Sequence, residues 1–469
     1  MKRQFGYLFW VMVFLSVPEV YAQKNPADLK FSALEFHPPK VERVVLDNGI
    51  IVYLKEDHEL PLFYGRAMLH CGGMWDTPDK VGLANMTGIV LRTGGTETKT
   101  GDKIDDELEY IAGSIETSIG DDAATATLSV LKEDIATGLK LFADVLMHPA
   151  FREEKINLAK MQAIESYRRR NDDPSGIVSR EFQKVLFGAD SPYGWEQTDK
   201  TITAIKREDM VAFHKKYFHP NNMILGIAGD FQREEILKLL REVFKDWKKT
   251  TLTLPPIPKV IPGKRPLVNV IKKEINQSNI MIGHLGIRRN NPDYQAIQIM
   301  NEILSFQRLF FQIRTEKGWA YQVGSRFTLE PDLGTFYGIM KTKVNSTHEA
   351  ITLMQKIFRD IREAPVTDKE LQTAKDSFLN SFVFEFESPS QIVNKQAQLE
   401  FYNYPKDYLE TFTSKIRAVT KEDVQQVAKK YILPDELIIM VVGDPAHFDS
   451  PLSSFGPINE ISVEQETKK

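Results

Sequence analysis

Along residues 132–146, KEDIATGLKLFADVL, the apolar positions Ile135, Leu139, Phe142 and Leu146 recur every three or four residues, with Leu141 beside them. That period gathers them on one face of an α-helix. The run Gly49-Ile50-Ile51-Val52-Tyr53-Leu54 follows Asp47-Asn48, a tight-turn sequence, and predicts a strand. Val366-Thr367-Asp368-Lys369-Glu370 has the form of a capped helix start that continues through Ala374 and Phe378. Strands mixed with long amphipathic helices predict the α+β class, with helices packed on a mostly antiparallel sheet.

One stretch of this pattern is written twice. Residues 204–230, AIKREDMVAFHKKYFHPNNMILGIAGD, and residues 418–444, AVTKEDVQQVAKKYILPDELIIMVVGD, align without a gap at an offset of 214. Identical pairs include Glu208/Glu422, Asp209/Asp423, Lys215/Lys429, Lys216/Lys430, Tyr217/Tyr431, Pro220/Pro434, Gly229/Gly443 and Asp230/Asp444. Each copy predicts a helix, a proline-bearing turn and a buried strand ending at Gly-Asp. A period this long is a duplicated domain, not a solenoid. The segment from Thr250 to Pro266 carries five prolines and predicts an extended spacer. The expected division is therefore one domain over 40–247, a proline-rich linker over 248–266, a sibling domain over 267–447 and a polar tail over 448–469.

The first residues follow another rule. Lys2 and Arg3 precede an apolar run from Phe5 to Val17, and Val20-Tyr21-Ala22 places small residues before Gln23. As a helix that run spans about 20 Å, short of the roughly 30 Å hydrocarbon core. The pattern predicts a signal peptide over residues 1–22, cleavage near Ala22 and an exported chain, periplasmic or secreted, without an integral membrane segment when mature. Composition narrows the chemistry. The chain has 469 residues, 60 basic against 64 acidic, and a net charge of −4, so no basic surplus points to nucleic acid. A single cysteine, Cys71, excludes disulfide frameworks and cysteine-rich zinc sites, which leaves nine histidines as nitrogen ligands. No two histidines stand four apart, and His70 and Cys71, adjacent on a strand, point to opposite faces.

Residues 46–69, LDNGIIVYLKEDHELPLFYGRAML, and 72–98, GGMWDTPDKVGLANMTGIVLRTGGTET, resemble the opening of the pitrilysin/insulinase-type metallopeptidases. VLMHPAF (145–151), LFGADSPYG (186–194), NQSNIMIGHLGI (276–287) and IRTEKGWAYQVGS (313–325) resemble later blocks of the same family, in family order. The resemblance implies two homologous domains forming half of a clamshell. Active members carry HxxEH, two histidines four apart on one helical face that bind zinc, beside a glutamate that takes a proton from zinc-bound water. Here Asn85 stands at the first histidine, Gly88 at the glutamate and Ile89 at the second histidine. The third ligand, a glutamate in the family, aligns with Glu165 or Ser166. This degenerate motif implies no zinc bound by this chain.

The same resemblance gives the second half a role. Arg314 and Tyr321 match an Arg/Tyr pair that, in the family, faces the zinc site and supports substrate backbone and the developing oxyanion; both side chains are hydrogen-bond donors. Helix character through Arg314 is expected to stop at Gly318 and leave Tyr321 on a strand. The family's glycine-rich loop is replaced by the glycine-free Leu304-Ser305-Phe306-Gln307-Arg308. Some members divide the work between two chains, one with HxxEH and one with the Arg/Tyr pair. The implied function is a non-catalytic, substrate-binding subunit of an exported heteromeric zinc endopeptidase. Its partner is an HxxEH-bearing homologue that holds the zinc, its substrates are unfolded or short peptides, and the chain alone is inactive. The alternative is an inactive scaffold or peptide-binding protein with no proteolytic role.

Overall fold

The computed structural model describes residues 36–261 and 267–463. The expected signal peptide with its cleavage point, linker residues 262–266 and residues 464–469 lie outside the described residues. The described residues form one compact unit. It is built on two six-stranded sheets of the same design. Sheet 1 comprises β1 (Glu42–Val45), β2 (Ile51–Glu56), β3 (Leu62–Leu69), β4 (Ser114–Ile119), β5 (Ala124–Leu131) and β6 (Met223–Gly229), in the order β1-β2-β6-β3-β5-β4. Sheet 2 comprises β7 (Val268–Lys272), β8 (Gln277–Leu285), β10 (Ala320–Phe327), β12 (Thr335–Lys343), β13 (Ile438–Gly443) and β14 (Ile458–Glu460), in the order β10-β12-β8-β13-β7-β14. Interleaved in sequence with the strands of sheet 2, β9 (Ile287–Arg288) and β11 (Leu329–Glu330) form a small parallel pair.

Both sheets are mixed and mostly antiparallel. Only β2 with β6, and β7 with β13 and β14, run parallel. Read from the other end, sheet 2 repeats sheet 1: β7 replaces β2, β13 replaces β6, β8 replaces β3, β12 replaces β5 and β10 replaces β4. The outermost position differs. In sheet 1 it is held by the hairpin strand β1, in sheet 2 by β14 from the segment read as a polar tail.

Fourteen helices dress these sheets in the described residues. The first half carries α1 (Leu83–Thr93), α2 (Gly101–Tyr110), α3 (Ile135–Met147), α4 (Glu153–Arg168), α5 (Pro174–Phe187), α6 (Asp199–Ala204), α7 (Arg207–Tyr217) and α8 (Arg233–Val243). The second carries α9 (Tyr294–Glu302), which runs on as a wider π-type helix over Ile303–Glu316, then α10 (Thr347–Glu363), α11 (Asp368–Phe382), α12 (Pro389–Phe401), α13 (Tyr408–Ala418) and α14 (Lys421–Tyr431). The sequence repeat is α7–β6 in one half and α14–β13 in the other. Its identical aspartates share a task. Asp209 accepts the Lys206 N–H at 2.8 Å and Asp423 accepts the Thr420 N–H at 2.9 Å, each closing the first turn of its helix.

Why β13 reads Ile-Ile-Met-Val-Val-Gly without alternation is answered by packing. All six of its residues are buried, as are six of the seven in β6, because both faces of each sheet are covered. One face of each packs on helices of its own half. The other face is covered by a helix from the opposite half. Ile177, Val178, Phe182 and Leu186 of α5 pack on Ile271, Met281, Met440 and Val442 of sheet 2. Val393, Ala397 and Phe401 of α12 pack on Tyr53, Met68, Ile224 and Ala228 of sheet 1. Gly226 makes the second contact close: a Cβ there would lie 2.7 Å from Val393 Cγ1. Arg43 of β1 adds a two-point ion pair to Glu400 of α12, both bonds 2.7 Å.

Candidate functional site

The degenerate motif lies on α1, which begins with a buried cap. Asp76 accepts N–H groups of Gly82 at 2.9 Å and Ala84 at 3.1 Å. Burial pushes this carboxyl up to about 7, against the pull of the backbone donors. From that start, Asn85 and Ile89 emerge together on the exposed edge of α1, while Met86, Thr87, Gly88 and Val90 are buried. A cleft of about 360 Å³ separates Asn85 and Ile89 from Gln162, Ala163, Ser166 and Tyr167 of α4. Of the two residues left open by the register, Ser166 lines this cleft and Glu165 does not.

Gly88 explains why the motif is not merely stripped of ligands. It sits where α1 meets β4: a Cβ at this position would lie 2.4 Å from the Ile119 nitrogen and 2.9 Å from the Ser118 carbonyl carbon. Thr117 Oγ1 donates to the Gly88 carbonyl at 2.7 Å and holds the two together. A glutamate at 88 would force helix and strand apart. The three motif positions offer the cleft an amide, an alkyl chain and a hydroxyl, and its one carboxylate, Glu196, is ion-paired to Arg170, Arg180 and Lys184, so the set does not fit zinc. Cys71, the other atom suited to soft chemistry, is buried, and burial pushes its thiol up, away from the thiolate. His70 beside it stacks on Phe401 with ring centroids 3.8 Å apart.

Arg314 and Tyr321 occupy the equivalent place in the second half. The α9–π helix is the counterpart of α1, and β10, like β4, is the far edge of its sheet. Residues 304–308 lie inside this helix, so the chain is wound where the family has a loop. Gly318, with φ +62°, ends it, and Trp319 N–H returns to the Ile313 carbonyl at 3.2 Å. Tyr321 falls at the register skip between Ala320 and Gln322 and is 77% exposed. The Arg314 guanidinium carbon lies 5.8 Å from the Tyr321 ring centroid and 4.8 Å from that of Phe310. Phe306 and Phe311 are exposed on the same helix, at 60% and 49%. Sequence reading passed over these phenylalanines, although Phe306, Phe310 and Arg314 follow each other at four-residue steps.

The family described as "Insulinase (Peptidase family M16)" matches residues 64–189, and that described as "Peptidase M16 inactive domain" matches residues 204–378. The chain belongs to the insulinase-type M16 family. A Bacillus subtilis relative named the uncharacterized zinc protease YmxG is 22% identical over 86% of this chain and 98% of its own length. A Helicobacter pylori relative named a non-peptidase homolog is 22% identical over 84% of this chain and 91% of its own. Among solved structures, a peptidase M16 inactive domain from Pseudomonas fluorescens superposes with a TM-score of 0.77 and 27% identity, covering 87% of this chain and 98% of that one. Within the M16 family, then, this chain is a member without the HxxEH motif, on a backbone closed against its glutamate.

Proposed function

We propose that this chain is the non-catalytic, substrate-binding subunit of an exported heteromeric M16 zinc endopeptidase. In this reading a homologous partner carries HxxEH and its zinc, and this chain supplies Arg314 and Tyr321 to that site. The observation that carries it is the exposed Arg314–Tyr321 pair, held on a rigid helix and a bulged edge strand in a chain whose own motif is closed at Gly88. Exposed guanidinium and phenol groups, with Phe306 and Phe311 beside them, are suited to hold peptide backbone and a developing negative charge contributed from another surface. The test is reconstitution. Each purified chain alone should leave unstructured peptides uncut, and the mixture should cleave them. Arg314→Ala should lower kcat of the mixture by about 100-fold, the scale for losing one oxyanion donor. Full activity of the partner alone, or of the Arg314→Ala mixture, would sink the proposal. The name of the Helicobacter pylori relative favours a second reading, a peptide-binding scaffold, which predicts peptide binding and no cleavage in any mixture.

A further inference from the structure

Where α5 crosses onto sheet 2 there is a cavity of about 240 Å³ that neither the degenerate motif nor the Arg314 patch uses. Its walls are aromatic. Phe182 of α5, Tyr193 and Trp195 of the following loop and Tyr337 of β12 line it. The loop is the block LFGADSPYG and the tryptophan just beyond it, for which the zinc chemistry has no role. Two carboxylates face the same space: Asp121, at the rim in the turn after β4, and Glu330 of β11. No lining residue is basic.

The neighbouring bases are committed elsewhere. Arg289 pairs with Asp122 at 2.7 Å and lies over the Tyr402 ring. Lys259 and Arg288 both reach Asp332, at 2.9 and 3.7 Å. Among the described residues neither Asp121 nor Glu330 has an ion-pair partner. Burial raises both carboxyls above their ordinary range. Asp122 adds to the effect on Asp121; at Glu330, Arg289 opposes it while Asp121 and Asp122 reinforce it. The Tyr193 phenol is pushed up to about 12 by burial and then by Asp332, Glu330 and Asp122, so it senses the same negative field. A recess with aromatic faces and unpaired carboxylates attracts an organic cation, whose charge meets the carboxylates and whose alkyl or planar part meets the rings. Its volume is below the roughly 300 Å³ at which pockets for whole small molecules begin, and suits one side chain. The other oxygen donors of the wall are neutral hydroxyls and the Gln183 amide, and two carboxylates with these make a poor divalent-metal cage.

We propose that this cavity is a specificity pocket for a single basic side chain, lysine or arginine, of a bound peptide. The inference rests on the reading that this chain handles peptides, and the chain links the two places: β4 ends at Ile119, the Gly88 contact, and Asp121 follows two residues later in the turn.

The full chain is titrated by calorimetry with two unstructured peptides that differ only by lysine or norleucine at one central position. The lysine peptide should bind about tenfold tighter, equivalent to 1.4 kcal/mol. Asp121→Asn, a rim substitution, should reduce that preference several-fold without changing the melting temperature. Asp121→Asn with Glu330→Gln should remove it and leave norleucine-peptide affinity unchanged. Equal binding of the two peptides, a preference that survives the double substitution, or displacement of the lysine peptide by zinc or calcium ions alone would each overturn the pocket. The reconstitution assay separates the two ideas. Arg314-dependent cleavage without lysine preference defeats the pocket and leaves the subunit role. Lysine preference without cleavage in any mixture does the reverse.

Discussion

The two halves of this protein place the same kind of helix against the same edge strand and use it in opposite ways. In the first half, α1 presses on β4 so closely that only glycine fits at 88, and the face turned to solvent offers Asn85 and Ile89. In the second, the helix through Ile303–Glu316 is wider, and its contact with bulged β10 leaves Arg314, Tyr321, Phe306 and Phe311 in solvent. A duplicated fold does not bring a duplicated site. One copy has lost its ligand side chains and has no room for a glutamate at 88, while the other presents donors that need a second surface to act on.

The largest effect should come from the helices exchanged between the halves, because they decide whether the halves are independent. Phe182→Ala on α5 and Phe401→Ala on α12 each remove a buried ring and should destabilise by about 3–5 kcal/mol. Because each helix covers the other half's sheet, both variants should lower one shared unfolding transition in calorimetry. Two separate transitions, with each substitution moving only one, would break the picture of a single unit.

Acid should weaken both halves by one mechanism. His214 in the first half donates its Nε2–H to the Leu146 carbonyl at 2.8 Å, and burial lowers its pKa to about 4. His284 in β8 accepts the Leu433 N–H at 2.9 Å, and burial lowers it to about 4 as well. Each is neutral when folded and takes a proton on unfolding below its ordinary value of about 6.5. Stability is therefore complete above that pH and falls as pH drops from about 6.5 towards 4, by up to roughly 3 kcal/mol per histidine. Denaturant melts across this window check it, and a flat profile would remove the buried neutral histidines from the account.

Gly88 is the sharpest probe of the comparison itself. Gly88→Ala already adds the Cβ that meets Ile119 and should lower stability by about 1–3 kcal/mol through overpacking. The triple substitution Asn85→His, Gly88→Glu, Ile89→His should then restore neither zinc binding nor cleavage. A stable triple variant that binds zinc stoichiometrically would show that the loss was of side chains alone. The smallest effect is expected at the other edge. Arg314→Ala should change stability by less than about 0.5 kcal/mol, since the side chain is exposed, so that any loss of activity with a partner reads as chemistry.

Much of this was legible before the fold was known, for physical reasons. The α7–β6 and α14–β13 units carry their own caps and apolar runs, so their duplication shows in a gapless alignment. The three-residue substitution in HxxEH shows because metal ligation depends on residue type at fixed helical spacing. The helix of 135–147 and the helix opening at Asp368, capped by Thr367, follow from local periodicity and a local cap. Other features depended on residues far apart in the chain. Pairing of β14 with β7 brings together segments about 190 residues apart, and nothing in the polar tail records its partner. The continuous burial of β6 and β13 was readable, but not that the covering helices come from the opposite half.

By itself, then, the sequence determined the M16 family, the duplicated α+β architecture and the absence of the zinc motif, because these rest on short-range pattern and residue chemistry. The tertiary structure alone decided how tightly α1 lies on β4, which of Glu165 and Ser166 faces the cleft, and that Arg314 meets Tyr321. It also decided that Asp121 and Glu330, 209 positions apart in the chain, share one aromatic cavity. Those depend on the relative placement of elements, which is set by packing both faces of two sheets at once and leaves no local mark in the chain.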